Sequence, residues 1–237
     1  MSDTLSVVPP ATPTAPEPHA GSFPRRVIDT FLSPVALFRR FGARPPWVDV
    51  TIVGVVVGLL AFALIPSEVL VNTAQEAMRR QGTEVPAGMD PGAMAGIQRI
   101  SMMVAAVVMP WIVLAVTAGV MVLLFSVILG GSATFRQYLS VVAHASLIGA
   151  VGSLAALPIT LSTGVMSSGI TLGALAGGMD PDSFVYQFLN AWNVFLVWQL
   201  VVMGLGASTL NRRIGAGTAI GVLLGVYACI AVLIAVI

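Results

Sequence analysis

The chain has little charge. Of its 237 residues 9% are Asp, Glu, Lys or Arg, 57% are hydrophobic, and the mean hydropathy is +0.96. A soluble domain usually carries about 25% charged residues to keep its surface wet. That shortage argues against a water-exposed fold of this length. Lysine is missing altogether: all eleven basic residues are arginine, which with abundant Ala, Gly and Val reads as coding bias. The net charge of +1 gives no pull toward nucleic acid or an acidic substrate. One cysteine, Cys229, excludes a disulfide framework and a cysteine-based metal site.

Other absences narrow the chemistry. No basic stretch followed by an apolar core opens the chain, so no signal peptide is expected and the N-terminus is expected in the cytoplasm. There is no Walker loop, dinucleotide fingerprint or zinc-binding His-Glu-x-x-His. Ser153 lies nine positions from His144 on one helical stretch, without a nucleophile turn or oxyanion donors. No span holds two acids, and Asp49 is the only acid at a span's edge. No catalytic residue, cofactor or metal is expected. The expected class is non-enzymatic.

What is present is a series of long apolar runs. Tyr186 to Ser208 and Gly215 to Ile237 contain no charge and are joined by Asn211-Arg212-Arg213. As helices each run is roughly 34 Å long, enough for a bilayer core. The arginines place their turn in the cytoplasm and the C-terminus outside. Counting back gives an all-α polytopic membrane bundle of five transmembrane helices, over about 47–69, 103–129, 138–162, 186–208 and 215–237. Arginines 25, 26, 39, 40, 44, 136, 212 and 213 then fall inside, and 79, 80 and 99 outside. The opposite orientation contradicts that asymmetry at three places. A multi-pass protein of the cell membrane is expected, inner or plasma.

Three parts follow: 1–22, a Pro/Ala/Thr-rich disordered tail; 23–46, a cytoplasmic amphipathic segment; and 47–237, the transmembrane domain. In the second part Ser33-Pro34 predicts an N-cap and a first helical proline, opening a helix to about Phe41. Leu37, Phe38 and Phe41 share a face. The segment is expected to lie in the headgroup layer with its rings in the acyl boundary. Arg25, Arg26, Arg39, Arg40, Arg44, Arg212 and Arg213 are its membrane-surface cations and those of the last turn. The plain reading is an anchor before the first span; the sharper one is lipid sensing or partner docking.

Residues 70–99 predict an extracytoplasmic helical hairpin, the first two spans projecting past the bilayer, with breaks at Gly82 to Pro86 and Asp90-Pro91-Gly92. Its Met78, Met89, Met94, Met102 and Met103 invite a copper reading, but irregular spacing without histidine favours packing. Pro110-Trp111 predicts a kink in the second span. Asp180-Pro181-Asp182 is expected to cap the helix leading into the fourth.

Intramembrane polar groups are the pointers to function, because burying them is costly. His144, Asn193 and Gln199 are the candidates. His144 could relay protons or bind a metal, but no further ligands accompany it, so a hydrogen-bonded structural histidine is expected. The two amides either bond across helices or line a solute path. Gly54 and Gly58 form a GxxxG pair, and Gly217, Gly221 and Gly225 a longer stripe, both suited to close helix packing. The stripe's partner is either within the chain or a second copy.

Three stretches together resemble the Ypt/Rab-interacting-protein (YIP) domain family, particularly its bacterial branch. They are Phe31 to Arg40 followed by Arg44-Pro45-Pro46-Trp47; Thr134 to Ser146; and Asn193 to Leu200 with Gly204 and Gly206. The position of His144 is commonly aromatic in the family, which weakens a catalytic role. The resemblance implies five helices with a cytoplasmic N-terminal segment. Eukaryotic relatives act in vesicle traffic and bind small GTPases, but no GTPase-binding motif can be placed on these residues. Two functions are therefore carried forward. One is a non-enzymatic protein acting through partner binding or membrane organisation, its partners being the bilayer and a membrane protein, a cytoplasmic protein or another copy. The other is a small-solute transporter or channel with a path near His144, Asn193 and Gln199.

Overall fold

The computed structural model describes residues 20–80, 82, 91–166 and 169–236. Residues 1–19 of the expected tail and 83–90 of the expected outer breaks, Met89 among them, lie outside the described residues. Among the described residues every regular element is a helix, and a single antiparallel bridge pairs Thr171 with Asn193.

Two short helices come first, α1 (Phe23–Leu32) and α2 (Pro34–Arg39). Each has a proline in its first turn, where the fixed φ suits the helix and the missing N–H costs nothing. Ser33 precedes α2 as expected, yet its hydroxyl makes no cap bond.

The first apolar run does not continue as one span. Helix α3 (Val48–Ala63) ends before Pro66, and α4 (Ser67–Arg80) leaves at 93°. Proline cannot donate to the preceding turn and forces its neighbour out of helical geometry. The expected straight projection of the first span is therefore corrected: α4 turns away at the break and pairs with α5 as a helical hairpin. Asn72 donates to Gly164 O (3.1 Å) and Thr73 Oγ1 accepts from Met166 N (2.9 Å), fastening α4 to the end of α6.

Helix α5 (Pro91–Met121) contains Pro110 without ending there, and runs on into a π-helical stretch, Val122–Ile128. Helix α6 (Phe135–Thr163) starts in a capping box, Thr134 with Gln137, and stops at Gly164, whose φ of +70° lies in the left-handed region. A short α7 (Leu172–Leu175) and α8 (Phe184–Asn190) lead to α9 (Val194–Leu210) and α10 (Ala216–Val236). Ser183, not the neighbouring aspartates, caps α8.

The expected continuous fourth span is broken between α8 and α9. The freed backbone is satisfied locally: Leu172 N donates to Trp192 O (2.9 Å) and Val194 N to Ile170 O (3.1 Å). Tyr227 Oη donates to Ala191 O (2.7 Å), and α10 runs on from Tyr227 to Val236, roughly 13 Å. The break thus lies within the depth that α10 spans. Among the described residues three helices are long and apolar enough to cross a bilayer: Gly96–Ile128, Phe135–Thr163 and Ala216–Val236. The bent α3–α4 pair makes a fourth candidate, and α9 is a shorter apolar helix.

Helix α6 is the centre, packing on α3, α5 and α9. At one end a buried Asn211 draws two turns together. Its Oδ1 accepts from Ser132 N (2.9 Å) and Ala133 N (3.1 Å), and its Nδ2 donates to Tyr138 Oη and Ala207 O (both 2.8 Å). Gln137 Nε2 donates to Gly42 O (3.2 Å) and Ser140 Oγ to Pro46 O (2.6 Å). The N-terminal segment, the 130–134 turn and the 211–215 turn therefore meet at one arginine-bearing end.

Candidate functional site

Two places collect the polar groups: the seat of α1 and α2 at the arginine-bearing end, and a groove among α3, α5, α6 and α9.

At the first, α2 does not rest its rings in lipid. Leu37 and Phe38 are 0% and 1% exposed, packed into the core formed with α6 and α9. Gly206 leaves the room for Val141 of α6 and for Phe38: a Cβ there would stand 2.4 Å from Val141 Cγ1 and 3.2 Å from the Phe38 ring. Phe41 packs on the His144 ring (5.3 Å between centroids), so all three face residues are used inside the protein. The expectation that these rings sit in the acyl boundary is corrected.

The arginines divide into two groups. Arg26 is 3% exposed and pairs with Asp49 at the start of α3; Arg40 pairs with Asp29. Both are internal ties rather than free surface cations. Arg26 also lies over the Phe23 ring (5.9 Å), and its Nε and Nη1 have no hydrogen-bond partner among the described residues. Arg25, Arg39, Arg44, Arg212 and Arg213 are exposed. Asp49 was visible as the lone acid at a span's edge, but a partner 23 positions earlier has no sequence signal.

His144 is fully buried on α6. Its Nδ1 lies 2.8 Å from Ser140 O, so Nδ1 carries the proton and Nε2 is left as an unpartnered acceptor among the described residues. It faces the α1–α2 seat, away from the groove.

The groove has a volume of about 790 Å³ and runs along α3 from Val50 to Phe62 and past the helix end to Ile65. Asn193 and Gln199 both line it. Asn193 is the N-cap of α9, its Oδ1 accepting from Phe195 N (2.8 Å) and Leu196 N (3.2 Å). That role explains an amide at a helix break. Gln199 makes none of the expected cross-helix bonds among the described residues; its Oε1 would stand 2.9 Å from a Cβ at Gly149. The three polar candidates are thus not one constellation: two share the groove and His144 does not.

The glycine motifs are also placed differently from expectation. Gly54 and Gly58 line the groove; a Cβ on Gly58 would meet nothing within 4 Å. Gly217, Gly221 and Gly225 are exposed, and a Cβ on any of them would likewise meet nothing within 4 Å. The close approach between α9 and α10 uses Gly204 instead, where a Cβ would lie 2.8 Å from Ile220 Cα.

A helical bundle with several membrane-length apolar helices, and with the buried and half-buried ion pairs of α1–α3 at its arginine-bearing end, defines a multi-pass integral membrane protein. The sequence profile of the Yip1 domain matches residues 28–237, nearly the whole described chain, and the protein belongs to the Yip1 domain family. Neither a curated protein nor a solved structure gives a match.

Proposed function

We propose that this protein acts without catalysis, binding a partner protein through the outward side of α1 and α2 at the cytoplasmic membrane surface. The observation that carries this reading is the fixing of that hairpin. Arg26, Thr30, Leu37 and Phe38 are buried beneath it, while Arg25, Ile28, Leu32, Arg39 and Arg44 point outward. A surface already ordered loses less entropy on binding than a free tail would. Ile28 and Leu32 are 55% and 78% exposed, an apolar strip flanked by cations, suited to an acidic amphipathic partner or to a bilayer it reorganises. The excess of arginine at this end supports a cytoplasmic N-terminus and an extracytoplasmic C-terminus. The cell membrane, inner or plasma, is the proposed location.

The test is a photo-crosslinking residue at position 28 or 32 in the full chain, in cells, compared with an Arg39→Glu/Arg44→Glu variant. Arg40 is left alone because it is tied to Asp29. A near-stoichiometric protein adduct, lost in the variant at unchanged membrane abundance, is expected. Adducts with lipid or other copies only, or an adduct indifferent to both reversals, would overturn the partner reading. The groove that Asn193 and Gln199 share favours the second reading, a solute path. That reading requires flux in proteoliposomes that Gln199→Leu abolishes.

A further inference from the structure

The groove is open on one side, between helices rather than at an end of the bundle. Helix α6 packs along α3, α5 and α9, whereas α9 makes no extended contact with α3 or α5 among the described residues. Its walls are hollowed by small residues, including Gly54, Gly58, Ala106, Gly149 and Ser153. From Val50 to Phe62 it extends about 18 Å along α3. The space suits an extended chain, and at this depth the molecules at hand are lipids.

The lining also states what polar group such a chain would carry. It includes no Arg, Asp, Glu or His among the described residues, so a charged headgroup would find no counter-charge. The hydroxyls of Thr51, Ser146 and Ser153 are spent on Trp47 O, Val142 O and Ala150 O of their own helices (2.7, 2.8 and 2.7 Å). Gln199 is different. Its carboxamide has no hydrogen-bond partner among the described residues, and an amide unmet in an apolar setting is unfavourable. One uncharged oxygen would satisfy it.

We propose that the groove is a binding site for a neutral long-chain lipid, its chain lying along α3 and α6 and its hydroxyl or carbonyl oxygen bonded to Gln199. The site is independent of the α1–α2 surface.

The test uses full-length protein in phosphatidylethanolamine/phosphatidylglycerol nanodiscs, photolabelled with diazirine-bearing hexadecanol and mapped by peptide mass spectrometry. Label is expected on groove-facing peptides of α3, α5 and α6, displaced by excess hexadecanol. Gly58→Phe grows into open space and should lower it at least fivefold; Ala106→Leu, from the opposite wall, is the second blocking variant should the first misfold. Gln199→Leu should lower it at least threefold, and phosphatidylglycerol carrying the same diazirine chain should label the groove far less. Label spread over the exposed faces of α5 and α10, undisplaced or indifferent to both blocking variants, overturns the site. Equal labelling by the charged probe, or indifference to Gln199→Leu, overturns the neutral-oxygen recognition.

Discussion

Helices α6 and α10 both cross the bundle, and the less apolar of the two is the buried one. Helix α6 carries Ser140, His144, Ser146, Gly149, Gly152 and Thr160 and is enclosed by α3, α5 and α9. Helix α10, dominated by Val, Leu, Ile and Ala, leaves most of its surface to lipid. In water the order would be reversed. Lipid tails solvate leucine as well as another helix does, so hydropathy stops deciding what is inside. Small and hydrogen-bonding residues decide instead, by letting backbones approach and by needing partners. The same rule separates the two sides of the N-terminal hairpin, where Phe38 and Arg26 go in and Ile28 and Leu32 stay out.

That contrast can be broken most forcefully at Phe38. Removing its ring leaves a cavity among α2, α6 and α9, and Phe38→Ala should destabilise by about 3–5 kcal/mol. Ile28→Ala, on the outward side, should cost less than about 0.5 kcal/mol. Thermal unfolding in detergent compares the two; equal small effects would restore the reading of α2 as a helix lying in lipid. The buried ion pair comes next and should be lopsided. Asp49→Asn leaves Arg26 buried without a counter-charge, a loss of roughly 3 kcal/mol. Arg26→Met leaves Asp49 half-exposed and able to reach water, so its cost should stay under about 1 kcal/mol. Hydrogen exchange over residues 23–47 reports the loosening of the seat directly, and equal effects from both variants would contradict the burial of Arg26.

The apolar runs made the membrane class legible, and Ser33-Pro34 and the Asn211 turn fall where the residues suggest. The breaks were less visible. Pro66-Ser67-Glu68 carries a stop and restart signal at the end of the first run, yet Val69-Leu70-Val71 just beyond it lets the run read as one span. The α8–α9 break hides inside a run with no charge; its only local mark is Asn193, a capping residue in an apolar stretch. What holds it open, Thr171 and Ile170, lies more than twenty positions upstream in a Gly/Ser-rich stretch. The Arg26–Asp49 pair was illegible for the same reason: contacts across turns are set by packing, not by spacing. The GxxxG motifs misled because small residues serve equally to admit a helix, hollow a groove or face lipid.

The finest test of the contrast therefore compares glycines. Gly204 and Gly221 sit on the two helices of one packed pair, and Gly221 alone belongs to the motif. A Cβ at Gly204 would press on the Ile220 backbone, so Gly204→Ala should cost about 1–3 kcal/mol through displacement of α10. At Gly221 a Cβ meets open space, and alanine is the better helix former. Gly221→Ala should leave stability within about 0.5 kcal/mol of the parent, or raise it slightly. The measurement is unfolding in detergent at several protein concentrations. A concentration-dependent loss at Gly221 would mean that its stripe packs on a second copy, and that α10 is enclosed in the assembly much as α6 is in the chain.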